Sequence, residues 1–300
     1  MKFLSVLILF TCFSCTLLYA SGGDGKLQDT KTFDQAAIAG ITKLQVDIKG
    51  TNGGILIEQH DEPGIRAEVY GSSIYWNKEL SAGEVSDRIK QYDIQMEARK
   101  DRGDFLITVN QVSGGYQDGL KVSIKLYVPE AYNTDINTSG GDVQFRNYTG
   151  GEHTVKSSGG EIALNGFKGT MDGDTNGGET NVLMAEGDIT LRTSGGNAWL
   201  AGLDATLDLD TDGGNINADM SALRDFVRIN TGGGSIQIAF PEEASMALDV
   251  MASTVYVTGN TGSSYPSKGN FKKKYGAGNT PVTINAGPKG IVRLLTTSAE

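Results

Sequence analysis

Thr175-Asn176-Gly177-Gly178-Glu179-Thr180-Asn181-Val182 is followed 18 residues later by Thr193-Ser194-Gly195-Gly196-Asn197-Ala198-Trp199-Leu200, and 18 after that by Thr211-Asp212-Gly213-Gly214-Asn215-Ile216-Asn217-Ala218. Working outward, the same corner appears at Thr138-Ser139-Gly140-Gly141, Ser157-Ser158-Gly159-Gly160 and Thr231-Gly232-Gly233-Gly234, so six corners recur at spacings of 19, 18, 18, 18 and 20. A fixed period of this size is the signature of stacked repeats.

Aligned on the Gly pair, the repeats carry inward residues three and five positions after its first glycine, apolar in all but one case. These are Val143 and Phe145, Ile162 and Leu164, Thr180 and Val182, Ala198 and Leu200, Ile216 and Ala218, Ile236 and Ile238. Their neighbours are mostly polar, which is the period-two alternation of a strand with one buried face. A second strand precedes each Gly pair, with Ile189 and Leu191, Leu207 and Leu209, Val227 and Ile229 inward. Between the two strands lies another corner at Gly151, Gly169, Gly187 and Ala205, filled by Tyr148, Phe167 and Leu203. The fold class is therefore all-β, a single-stranded, parallel β-helix-like solenoid whose rungs of about 18 residues each hold two strands. Four inward side chains at about 1.5 to 3 kcal/mol each cannot hold one rung alone, whereas stacking makes a continuous core. At the corners, glycine is expected to relieve positive φ. The Thr or Ser before each pair is expected to hydrogen-bond backbone groups that no strand satisfies.

The beginning of the chain sets the compartment. Lys2 precedes the apolar run from Phe3 to Ala20, which breaks into Ser21-Gly22-Gly23-Asp24-Gly25, so residues 1–20 read as a signal peptide. Cys12 and Cys15 both lie inside it, leaving the mature chain without thiols for disulfides, nucleophilic catalysis or metal binding. Membrane association would arise only from lipidation at Cys15, a residue that loosely resembles a lipoprotein processing site. Export places the protein in the periplasm, at the outer membrane or on the cell surface. Net charge is −10, and −11 once Lys2 is removed, which repels phosphate backbones and argues against nucleic acid. Glycine, at 41 residues, is roughly double its usual share and sits between apolar alternations, so it is corner chemistry and not linker.

Residues 21–135 read as a less regular β region continuous with the solenoid, which fills 136–295 ahead of a tail at 296–300. Thr51-Asn52-Gly53-Gly54 repeats the corner motif, and Leu120 to Val128 alternates as a strand stopped by Pro129. A short helix interrupts near Ser81–Lys90, where Ser81 and Glu84 have capping-box spacing. Val255-Tyr256-Val257, Pro281 to Ile284 and Ile291 to Leu294 read as closing strands, with Lys272-Lys273-Lys274 in an exposed loop.

The Gly-Gly corners, Val128-Pro129, the Thr51-Asn52-Gly53-Gly54 rung and the closing segment from Asn285-Ala286-Gly287 to Leu294 resemble the bacterial putative adhesin family. That resemblance covers nearly all of the mature chain. It implies an exported β-solenoid of unknown function, related to auto-transporter-like head domains, and it brings no functional residue with it.

No catalytic, cofactor-binding or metal-ligating residue is nominated. His60 and His153 have no paired spacing and read as surface or corner residues. With two histidines and no mature cysteine, zinc is disfavoured. Asp142, Glu161 and Glu179 share one column and would either share a divalent cation or splay into water; the change to Asn197, Asn215 and Ser235 favours solvated surface. Neither the Gly-Gly-x-Gly-x-Asp nonapeptide of calcium β-rolls nor a phosphate-cradling G-x-x-x-x-G-K-[ST] motif occurs. Trp199 in an outward column, and Trp76, Tyr75 and Tyr70 in the irregular half, are candidate binding aromatics. The chain is read as a non-enzymatic envelope or surface protein, an adhesin presenting a rigid face, with no cofactor. Its partner would be a glycan or a surface or matrix protein. The alternatives are a structural or stress-related periplasmic protein and a polysaccharide-active enzyme on a β-helix, the latter needing long groove-forming loops that the short connections do not supply.

Overall fold

The computed structural model describes residues 25–73, 79–113, 120–129, 132–241, 243–258 and 264–296. The signal-peptide segment, Cys12, Cys15, Tyr75 and Trp76 lie outside them.

The first half holds β1 (Lys26–Phe33), α1 (Gln35–Ile38), β2 (Lys43–Lys49), β3 (Ile55–Gln59), β4 (Ile65–Ser73), α2 (Ala82–Arg88), β5 (Tyr92–Arg99), β6 (Asp104–Gln111) and β7 (Leu120–Val128). Regular rungs follow as β8 (Asn133–Thr138), β9 (Val143–Arg146), β10 (Thr149–Ser157), β11 (Ile162–Thr175), β12 (Thr180–Thr193), β13 (Ala198–Thr211), β14 (Ile216–Thr231) and β15 (Ile236–Phe240). The chain closes with β16 (Met246–Thr258), β17 (Ser264–Tyr275), β18 (Thr280–Asn285) and β19 (Ile291–Thr296). From β8 to β15 each rung pairs in parallel with the next, with Ile162↔Thr180, Thr180↔Ala198, Ala198↔Ile216 and Ile216↔Ile236 in one inward column. The all-β solenoid is thus the architecture, and the inward columns are its core: Val143, Ile162, Ala198, Ile216 and Ile236 are fully buried.

The Gly-Gly corners work differently from the expectation. Gly159, Gly177, Gly195 and Gly213 have nothing within reach of an added Cβ, and none of the second glycines from Gly141 to Gly234 has a left-handed φ. What the second glycine supplies is room: a Cβ on Gly178 would collide with the Gly160 carbonyl, one on Gly196 with Gly178 and one on Gly214 with Gly196. Backbones of successive rungs therefore touch at this column. The hydroxyl before the pair staples the same contact. Thr175 Oγ1 accepts from Gly178 N at 3.2 Å and donates to Gly160 O at 2.8 Å, and Thr193, Thr211 and Thr231 repeat this one rung on.

Left-handed backbone is concentrated at the other corner, in Asn147 (φ 50°), Gly166 (φ 63°), Met184 (φ 52°) and Gly202 (φ 68°), a column ahead of the expected Gly151, Gly169 and Gly187, which are also at positive φ. Pairing continues through this corner, so β11 to β14 run as bent strands of 14 to 16 residues. Tyr148, Phe167 and Leu203 fill it and are fully buried.

In the first half, β2 and β3 form a rung against β8 and β9 on one side and β6 and β7 on the other. Ile55 pairs with Val143, so Gly53, and not Gly54, lies level with Gly141. Because Ile48 pairs with Thr138, the corner from Ile48 to Ile55 is two residues longer than the one from Thr138 to Val143, and Thr51 is not level with Thr138. α2 has the full capping box, Ser81 Oγ accepting from Glu84 N and Glu84 accepting from Ser81 N. Its Val85 is buried in a space left by Gly71 on β4, and the chain continues as a short 3₁₀ turn, Ile89–Gln91.

At the far end, β16 lies two levels beyond β14 and β15. β18 fits between β14 and β16, and β19 between β15 and β16. Lys272-Lys273-Lys274 lies in β17, antiparallel to β16, and not in a loop; Lys272 reaches Asp249 on β16 at 2.6 Å. Lysines suit an outermost strand because they oppose unwanted edge pairing.

One core column contains a misfit. Thr180 is fully buried where other rungs place Val143, Ile162 and Ile216, and its Oγ1 has no hydrogen-bond partner. Thr180→Val should raise stability by about 1 kcal/mol, because it removes an unpaired hydroxyl without changing shape. Urea unfolding midpoints check this, and an unchanged or lower midpoint counts against it.

Candidate functional site

The repeat puts its outward residues into registered columns. One column runs Asn181, Trp199, Asn217, Gln237, Arg293, Tyr256 across six adjacent strands, each pair in direct register. Trp199 is 52% exposed, and Arg293 lies over the Tyr256 ring at 5.6 Å. Towards the first half the same column is closed, since Leu56, Gln144 and Ala163 are buried. The open part thus begins at Asn181.

The adjoining column, Asp142, Glu161, Glu179, Asn197, Asn215, Ser235, is a hydrogen-bond ladder. Asp142 accepts from Glu161 N, Asn197 Oδ1 from Asn215 N and Asn215 Oδ1 from Ser235 N, each at 2.9 Å. Side chains that accept from the next rung's amide are tethered. Asp142, Asn197 and Asn215 can therefore play the same part, since each offers an acceptor oxygen. The three carboxylates do not converge as a metal site, and no such cluster occurs among the described residues. Burial pushes the Glu161 carboxyl up, Asn181 Nδ2 at 2.7 Å opposes that shift, and Asp142 and Glu179 add to it. Between the two columns lies a concavity of about 240 Å³, lined by Asn197, Trp199, Asn215, Asn217, Gln237 and Arg293 among others.

A larger concavity, of about 400 Å³, lies beside Asp47, Lys49, Asn137, Lys156, Asp174 and Asn176. It has no aromatic side chain, and Lys49 is already paired to Asp47 at 2.6 Å. The outer face that bears the pre-corner strands is charged in general, with Arg192 on Asp172 and Arg228 on Asp208 at 2.8 and 3.0 Å. Such exposed pairs contribute little to stability. Polarity without charge, from Asn181 to Gln237, is what sets the Trp199 column apart.

The two histidines are not brought together. His60 directly follows β3; its Nδ1 accepts from Glu62 N at 3.0 Å and its ring meets Tyr127 edge-on. His153 lies at the second corner but is buried there, correcting only the surface part of the expectation: it packs against Phe145, Tyr148 and Phe167 with ring centroids 5.1 to 5.2 Å away. Its Nε2 donates to Gly150 O at 2.9 Å, which leaves Nδ1 to accept from Thr134 Oγ1 at 3.0 Å. Burial holds its pKa down, only partly offset by the Gly150 bond. Below about pH 6.5 the unfolded chain takes up a proton that the folded chain refuses, so stability should fall as the medium is acidified. The difference in unfolding free energy between the native protein and His153→Gln should therefore shrink from pH 7.5 to pH 5.5, by up to about 1.4 kcal/mol per pH unit. Parallel curves would mean that the imidazole is not held neutral.

Tyr70 is likewise engaged, donating to Glu68 at 2.7 Å, with burial and then that bond pushing its pKa up to about 12. Arg293 and Tyr256 were not legible as neighbours of Trp199, because the last strands enter the stack out of sequence order. No periodic signal announces that order.

The Toastrack DUF4097 family model matches residues 41–286. Among solved structures, a putative adhesin from Bacteroides fragilis NCTC 9343 is 14% identical, with 90% of this chain and 97% of that chain covered and a TM-score of 0.45. A putative adhesin from Parabacteroides distasonis ATCC 8503 is 12% identical, with coverage of 90% and 98% and a TM-score of 0.34. A putative cell adhesion protein from Clostridium sporogenes ATCC 15579 is 14% identical, with coverage of 90% and 100% and a TM-score of 0.27. No curated protein matches the chain.

Proposed function

We propose, from the premise that the chain belongs to the Toastrack DUF4097 family, that it is an exported, non-enzymatic protein that uses one rigid solenoid face to hold a partner at the cell envelope or surface. The observation that carries this reading is the registered column from Asn181 to Tyr256, an aromatic and amide surface fixed at strand spacing. Rigid presentation reduces the ordering entropy lost on binding. Export is supported by the apolar leader from Phe3 to Ala20. Among the described residues no helix is long and apolar enough to cross a membrane.

Beads coated with residues 21–300 should adhere to the producing cells or to their extracted envelope, and beads coated with the Trp199→Ala, Asn217→Ala, Gln237→Ala triple variant should not. All three positions face outward on formed strands, so circular dichroism should show the variant folded. Equal adhesion of both beads would overturn the reading. Protease treatment of intact cells adds the location, since a surface protein is cleaved and a periplasmic one is protected.

A further inference from the structure

We infer that the column from Asn181 to Tyr256 takes an extended, uncharged glycan laid along the solenoid axis, with one sugar ring on Trp199. The inference rests on the binding-face reading and gives it a ligand class. Six strands at about 4.8 Å put Asn181 and Tyr256 roughly 24 Å apart, a length that about five hexose residues would cover. Trp199 and Tyr256 then stand as two aromatic platforms, four levels apart, with Asn217, Gln237 and Arg293 between them.

The chemistry fits hydroxyls on an apolar ring. The flat carbon-bound face of a pyranose covers an indole, while each hydroxyl both donates and accepts. Carboxamides do both from one side chain, and a guanidinium offers a planar set of donors. The Asn217 and Gln237 amides make no side-chain hydrogen bond among the described residues, whereas Asn197 and Asn215 are tied to the next rung and hold the edge of the strip in place. Charge selects among glycans. From Asn181 to Gln237 the column carries none, Arg293 being its single cation, and the chain as a whole is at −10, so polyanions are repelled. Trp199, Arg293 and Tyr256 are residue types that also anchor protein interfaces; the unbonded Asn217 and Gln237 amides between them are what favour a hydroxyl-rich glycan.

The test uses the mature chain with Trp76→Phe, so that Trp199 alone reports, and a panel of neutral β-linked hexasaccharides of glucose and N-acetylglucosamine, with oligogalacturonate as the anionic control. At least one neutral oligosaccharide should shift Trp199 emission saturably, and oligogalacturonate should not. By calorimetry, in the chain retaining Trp76, Trp199→Ala should weaken binding roughly tenfold or more, and Gln237→Ala about threefold. Silence of every neutral glycan at millimolar concentration, tighter binding of the polyanion, or affinity unchanged by Trp199→Ala each overturns the inference. Should glycans fail while the triple variant still abolishes bead adhesion, the binding face stands and the ligand class falls. If bead adhesion is also unaffected, both fall.

Discussion

Gly178→Ala is expected to lower stability by about 3 kcal/mol or more, and Gly177→Ala, one residue earlier, to leave it within about 0.5 kcal/mol. Composition alone would treat the two glycines as equivalent. They differ because a Cβ at 178 meets the Gly160 carbonyl carbon and oxygen, both backbone atoms held in pairing, while a Cβ at 177 meets nothing within 4 Å. Relief at 178 would require the rungs to part at the column where Thr175 bridges them, breaking the bond from Thr175 Oγ1 to Gly160 O as well. Melting temperature should fall by roughly 10 °C for the first variant and stay nearly level for the second. Similar losses at both positions would mean that the corner needs glycine for its torsion angles and not for its proximity.

Removal of residues 280–300 should unfold far more than the segment removed. Those residues include β18 and β19, whose Val282, Ile284, Val292 and Leu294 are fully buried. At about 1.5 to 3 kcal/mol per side chain the loss is up to about 6 to 12 kcal/mol, comparable to the whole stability of an ordinary domain. The deletion also takes a level out of the middle of the stack, leaving β14 and β15 on one side and β16 on the other with no partner between them. Limited proteolysis should therefore cut from about residue 241 onward, where β15 ends, and the urea midpoint of the remainder should drop. A product that merely shortens, with β16 and β17 still protected, would refute the intercalated order.

The regular rungs were legible because their period fixes everything that matters about them. Ile162, Ala198 and Ile216 announce an inward column, and Thr175, Thr193 and Thr211 announce the hydroxyl staple. What was hidden depends on relations that periodicity does not carry. The collision at Gly178 lies between backbones of different rungs. Asn147 and Met184 take left-handed torsions beside Gly166 and Gly202 in a column whose chemistry changes at each level, so no consensus shows. His153 looked peripheral because its aromatic surroundings, Phe145 and Phe167, come from neighbouring rungs. Lys272 to Lys274 suggested a loop by charge alone, although an outermost strand accommodates the same residues, all three of them exposed. For the site, Trp199 stood out as an exposed aromatic, whereas its continuation through Arg293 to Tyr256 followed only from the strand order at the end of the stack.

That order also governs how the molecule carries load. A pull applied at the end of β19 does not peel an outer strand, one hydrogen bond at a time. It must slide β19 along both β15 and β16 at once, so many bonds share the tension and fail together. A chain tethered through its last residues, with a partner gripped at Trp199, would hold under drag as a stiff link.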